Sequence, residues 1–201
     1  MPDFFYENGM NGVIAGIDEA GRGPWAGPVV AAAVVLDRNH IPEGIDDSKK
    51  LTHAQREILF ETILNHSHVG IGSASVEEID QHNILQATFM AMRRAYEQLT
   101  LKITIDGVLV DGNQVFALPC PLKTLVKGDS LSLTIAAASI VAKVTRDRLM
   151  NELAQACPHY AWERNAGYGT KAHQEGIARY GITEHHRRSF APIRNYLSEH
   201  S

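Results

Sequence analysis

The chain has 201 residues, 44% of them hydrophobic and 21% charged, with a formal net charge of −4. That size and balance describe one compact domain with a real core; they exclude compositional disorder and a generic basic coat for nucleic acid, though not a local basic groove. No apolar run approaches the roughly 20 residues of a membrane span. The opening stretch "MPDFFYENGMNG" lacks the basic and apolar regions of a signal peptide. A soluble, cytoplasmic protein is expected, and its two distant cysteines, Cys120 and Cys157, read as reduced thiols.

Residues 1–11 read as a short N-terminal segment ahead of a single domain over 12–201. The first apolar run predicts a strand over Val13–Asp18, ending in the adjacent acids Asp18 and Glu19. A turn through Gly21, Arg22, Gly23 and Pro24 leads to a second strand, Val29–Leu36, in an antiparallel pairing with the first. A helix from Thr52 to about Asn65 opens on a Thr cap. A strand over Val69–Val76 follows, then a helix over Ile84–Leu99 with an apolar stripe. Two further strands are predicted at Gly107–Val110 and Leu122–Val126. A long helix from Ser132 to about Ala156 carries the very small face "IAAAS", which lets it lie close to a sheet. After Pro158 the pattern turns irregular, then helical over Thr170–Tyr180, and the tail "EHHRRSFAPIRNYL" mixes basic and aromatic residues. The order describes an α/β domain with a mixed sheet, flanking helices and a helical C-terminal part. The ends of the first and fourth strands are placed side by side.

Four acids stand at strand ends, where open α/β sheets build their sites. Asp18 and Glu19 follow the first strand, Asp111 ends "GVLVD", and Asp129 ends "LKTLVKGD". Singly, each reads equally well as a turn, cap or strand-end acid; together they form a set of hard oxygen ligands suited to Mg²⁺ or Mn²⁺. Two such ions about 3.5–4 Å apart stabilise both the attacking and the leaving oxygen of a phosphoryl transfer. Successive strand side chains point to opposite faces, so Asp18 and Glu19 converge only if the strand ends or bends there. Asp46, Asp47, Glu77, Glu78 and Asp147 read as turn, cap or solvated acids.

Arg22, flanked by Gly21 and Gly23, is placed to offer donors to a phosphate where the backbone lies close to it. Lys49 in "DSKKL" faces either a phosphate backbone or water. Tyr168, set between glycines in "NAGYGTKAH", is a candidate platform for a sugar or base. The paired histidines His66/His68 and His185/His186 read as surface residues.

The segments "GIDEAGRGPWAGPVVAAAVVL", "DSKKL", "LVDGN", "KGDSLSLTIAAASIVAKVTRD" and "NAGYGT" together resemble bacterial ribonuclease HII, the type 2 ribonuclease H, from about Val13 to Phe190. The resemblance implies a ribonuclease H-like mixed five-stranded sheet. It implies an endonuclease that hydrolyses the RNA strand of RNA–DNA hybrids and cuts 5′ to a single ribonucleotide in duplex DNA, leaving 3′-hydroxyl and 5′-phosphate ends. It assigns the four catalytic, metal-binding acids to Asp18, Glu19, Asp111 and Asp129, with two divalent ions, Mn²⁺ or Mg²⁺. It places the substrate-binding Gly-Arg-Gly element on Gly21, Arg22 and Gly23, and the substrate-sensing tyrosine on Tyr168. Where the family often has Lys before its Gly-Tyr-Gly step, this chain has Ala166. Nothing in the tail resembles a replication-clamp motif, so a monomer with no obligate protein partner is expected. Three other readings stand beside this one: a junction-resolving nuclease with strand-borne acids, a hybrid-binding module without turnover, and a nucleotide-binding α/β domain. The last is weakened by "GDSLSLT", which lacks the phosphate-loop glycine and Gly-Lys-Ser/Thr ending.

Overall fold

The computed structural model describes residues 1–200. Five strands form one sheet: β1 (Ile14–Ala20), β2 (Val29–Leu36), β3 (Ser67–Ala74), β4 (Gly107–Asp111) and β5 (Leu122–Leu125), in the order β3-β2-β1-β4-β5. β1 is antiparallel to β2, which is antiparallel to β3, while β1–β4 and β4–β5 are parallel. The mixed sheet, the antiparallel first pair and the neighbouring first and fourth strands are as the sequence predicts.

The helices are α1 (Phe5–Asn8), α2 (His53–His66), α3 (Val76–Thr100), α4 (Leu133–Ala156), α5 (Trp162–Asn165), α6 (Lys171–Tyr180) and α7 (Ala191–Glu199). None is long and apolar enough to cross a membrane, among the described residues.

Period-two alternation along β2 explains the layering. Val29, Ala31 and Ala33 face α3, packing with Ala91, Met92 and Leu99. Ala32, Val34 and Leu36 face the other way, onto α2 and the small face of α4. Small residues let α4 come close: a Cβ on Gly16 of β1 would run into the main chain of Thr134. At the far end, Trp162, Met150 and Ile193 gather the C-terminal helices into a core of their own.

Several boundaries differ from the sequence reading. β1 runs on to Ala20, so Asp18 and Glu19 lie within the strand rather than after it. β3 stops at Ala74 because Ser75 caps α3 through a reciprocal capping box with Glu78, so the helix begins eight residues before Ile84. Inside it, Asn83 at φ 67° interrupts the helix, and its side-chain oxygen accepts from the Leu85 and Gln86 amides, capping the second segment. Asp129 sits in a 3₁₀ turn, Gly128–Ser130, beyond the end of β5.

Candidate active site

The parallel register of β1 and β4 pairs Ile17 with Val110. One step further, Asp18 and Asp111 stand side by side. Because Ala15 and Ile17 face α3, alternation sends Asp18 to the α4 side and Glu19 to the α3 side. Asp129 approaches from the turn ahead of α4. One carboxylate oxygen from each of Asp18, Asp111 and Asp129 lies within 4.8 Å of the others.

Local hydrogen bonds fix these acids. The Gly128 amide donates to Asp111 Oδ1 at 2.6 Å, tying the end of β4 to the turn that bears Asp129. The Glu19 amide donates to Asp18 Oδ1 at 2.7 Å. Glu19 does not join the three aspartates; it stands at the rim, 3.4 Å from Arg22 Nη1. Lys49 Nζ donates to Asp129 Oδ2 at 3.0 Å, and its loop is docked on α4 through the Ser48 amide and Ser139 Oγ.

Burial, followed by the charges of Glu19 and Asp111, holds the Asp18 carboxyl well above the usual carboxylate range. Burial and then the Asp129 charge raise Asp111. Burial also raises Glu19, against the opposing pull of Arg22. Partial burial depresses the Lys49 ammonium, but the hydrogen bond and charge of Asp129 outweigh it and lift the group above the ordinary lysine value. Three convergent, crowded, oxygen-only donors with a single exposed ammonium among them make a site for a hard divalent cation.

The acids open on a cleft of about 300 Å³ that is also lined by Gly21, Arg22, Gly23, Lys49 and Tyr168. Eight of the nine predicted site residues line this cleft; Asp129 does not, and is joined to it by the hydrogen bond from Lys49. Tyr168 is half exposed, and its ring edge faces Gly23, where an added Cβ would come within 3.3 Å. Gly21, at φ 98°, needs glycine for its backbone.

Sequence reasoning passed over Arg146 and Lys143, which also line the cleft. Their signal was the basic residues in "AKVTRD", one helical turn apart on α4. It also misplaced His186, which is buried rather than on the surface. His173 Nδ1–H donates to the Tyr168 carbonyl at 3.0 Å, which leaves Nε2 to accept from Trp162 Nε1 at 3.2 Å and from His186 Nε2 at 3.1 Å. His186 Nδ1 in turn accepts from the Thr183 amide at 2.9 Å. A chain of neutral imidazoles therefore supports the backbone of Tyr168.

The fold and the acid cluster define a metal-dependent nuclease, a phosphodiester hydrolase of the ribonuclease H-like class. The sequence model described as Ribonuclease HII matches residues 15–193, and the chain belongs to that family. It is 59% identical over 197 residues to the Ribonuclease HII of Wolbachia sp. subsp. Drosophila simulans (strain wRi), covering 98% of each chain. Among solved structures it is similar to the ribonuclease H2 of Pyrococcus horikoshii OT3, with a TM-score of 0.73 at 28% identity over 92% of this chain and 97% of that one. It also shares its fold with Bst-RNase HIII, a protein solved in complex with Mn²⁺, at a TM-score of 0.72 and 19% identity over 93% of this chain and 70% of that one.

Proposed function

We propose that the chain hydrolyses the RNA strand of RNA–DNA hybrids and cuts 5′ to single ribonucleotides embedded in duplex DNA, leaving 3′-hydroxyl and 5′-phosphate ends. The observation that carries this reading is the shared cleft: Asp18 and Asp111, which cluster with Asp129, line it together with the Gly21–Gly23 turn and Tyr168. Family membership supports it.

Asp18, Asp111 and Asp129 would hold two divalent ions, Mn²⁺ or Mg²⁺, with Glu19 contributing from the rim. When bound there, such ions supply Lewis acidity to the scissile phosphate and a water of lowered pKa. The protein's own groups do the rest. Gly128 and Glu19 amides keep two of the carboxylates oriented. Arg22 and Lys49, both exposed enough to leave their acids, are the cations that would meet the phosphate backbone. The 2′-hydroxyl separates RNA from DNA. The main chain of Gly21–Gly23 offers hydrogen-bonding groups to it, and the Tyr168 ring stacks on the neighbouring sugar with its hydroxyl free to bond. The rim holds no Ser/His/Asp arrangement among the described residues, and none is needed when the nucleophile is water.

The test is a labelled duplex with one ribonucleotide in one strand, beside an all-DNA twin, with Mn²⁺ or Mg²⁺ and an EDTA control. Metal-dependent cutting only 5′ of the ribonucleotide is expected. Equal cutting of both duplexes would replace the reading with a general nuclease, and tight binding without cutting would replace it with a binding module.

A further inference from the structure

Two guanidinium groups lie sunk between the cleft and the C-terminal segment. Arg146 on α4 is 2% exposed, and Arg187, between α6 and α7, is 0% exposed. Every hydrogen bond they make goes to a main-chain carbonyl. Arg146 donates to Pro28 at 2.9 Å, Ala26 at 3.1 Å and Ala166 at 2.9 Å. Arg187 donates to Gly27 at 2.9 Å, Arg22 at 3.0 Å, Gly21 at 2.6 Å and Pro28 at 3.2 Å. Neither forms an ion pair with an acid among the described residues.

A buried charge without a counter-ion is costly, and two side by side are costlier. Burial pushes the Arg146 guanidinium down to about 10 and that of Arg187 down to about 9, the second also repelled by the first. Both stay charged at neutral pH. What the fold gains from them lies in the cleft wall. Arg187 holds the carbonyls of Gly21 and Arg22, Arg146 holds that of Ala166, two residues before Tyr168, and both hold carbonyls of the Ala26–Pro28 segment between them. The contact is close enough to dictate sequence: a Cβ on Gly21 would run into Arg146 Nε. The Trp25 amide adds a bond to the Gly167 carbonyl at 2.8 Å, which ties the two loops directly together.

We propose that Arg146 and Arg187 are positioning residues for the reaction: together they fix the Gly21–Gly23 turn against Tyr168 at the spacing a ribonucleotide sugar requires, and Arg146 adds a positive charge to the cleft wall. The inference rests on the ribonucleotide-cutting reading above. It explains why both positions carry the rigid guanidinium, whose planar fork spreads donors over three nitrogens where a lysine ammonium offers all of its donors from one.

Arg146→Lys and Arg187→Lys keep the charge and remove the fork. Each is checked for fold by circular dichroism and for an intact acid cluster by the rise in Tm on adding Mn²⁺. Each is then assayed well below its own Tm on the single-ribonucleotide duplex and its all-DNA twin. The Mn²⁺ response should persist, while KM for the ribonucleotide duplex rises and its preference over DNA falls, each by about tenfold to a hundredfold, the scale of a misplaced substrate contact. A lowered Tm with KM and preference unchanged would overturn the proposal, because it would make the pair a structural clamp only. A variant that fails to fold at room temperature in Mn²⁺ would overturn it for that residue in the same way. Failure of the underlying reading looks different: the unmutated protein would then cut both duplexes alike, or neither.

Discussion

Lys49 Nζ and Asp129 Oδ2 stand 3.0 Å apart, which sets an ammonium among the carboxylates that a divalent cation would occupy. The lysine side chain is 76% exposed, so the pair contributes at most about 1 kcal/mol. In EDTA, Lys49→Gln should therefore lower Tm by no more than about 2–4 °C for a domain of this size. The rise in Tm on adding Mn²⁺ should grow, because the ion no longer competes with an internal cation. Differential scanning fluorimetry with and without Mn²⁺ measures both, and an unchanged Mn²⁺ response would show that Lys49 does not screen the acids.

Asp111→Asn separates charge from shape. The amide oxygen can still accept from the Gly128 amide, so the turn should hold, and the Asp111 charge, which after burial and Glu19 raises Asp18, is removed. Tm in EDTA should stay level or rise, whereas the Mn²⁺-induced rise should disappear. Cleavage should fall by at least about a hundredfold, the scale of losing one preorganised electrostatic contact at a transition state. A variant that unfolds instead would assign Asp111 a structural role.

Much of this site is legible in the residue order because it follows from alternation and register. Asp18 and Asp111 converge since each stands one step past the paired Ile17 and Val110 on neighbouring parallel strands. The same rule separates Glu19, which the sequence groups with Asp18. The early start of α3 was also readable, from Ser75 and Glu78 at capping-box spacing, although the apolar run through Val76 masks it. Arg187 and His186 were not readable. A basic tail reads as solvated, and only the three-dimensional meeting with carbonyls some 160 residues away in sequence makes burial tolerable. Long-range main-chain partners leave no trace in composition or period.

Burial, with help from His173, pushes His186 down to about 3, and burial lowers His173 as well. Unfolded, both take up protons near the ordinary histidine value; folded, they resist. The unfolded state therefore binds more protons below pH 6.5, and the stability contributed by the pair is full above that value and lost as pH falls toward the folded values. The slope is at most about 1.4 kcal/mol per pH unit for each group. The crowded aspartates act in the opposite sense, since their raised values favour protonation in the folded state. Comparing wild type with His186→Gln isolates the histidine part. Between pH 7 and 4.5 the variant should lose less Tm than wild type, though starting lower; parallel curves would show that His186 does not titrate on unfolding.

The last prediction concerns the close crossing of β1 and α4. At Gly16 an added Cβ meets the main chain of Thr134 and Ile135 in the first turn of α4, which cannot swing aside as a side chain would. Gly16→Ala must therefore lift the start of α4 off β1. Overpacking of this kind costs about 1–3 kcal/mol, or about 2–12 °C in Tm for a domain of this size. The strain has a functional consequence, because Asp18 lies two residues along β1 and Asp129 lies just ahead of α4. Separating the strand from the helix separates those carboxylates, so the Mn²⁺-induced rise in Tm should shrink along with the stability. Gly9→Ala, exposed at the end of α1, serves as the control and should shift stability by less than about 0.5 kcal/mol. A Gly16→Ala protein that loses stability yet keeps the full Mn²⁺ response would show that the acid cluster is held by the Gly128–Asp111 bond alone, independently of how tightly α4 seats on the sheet.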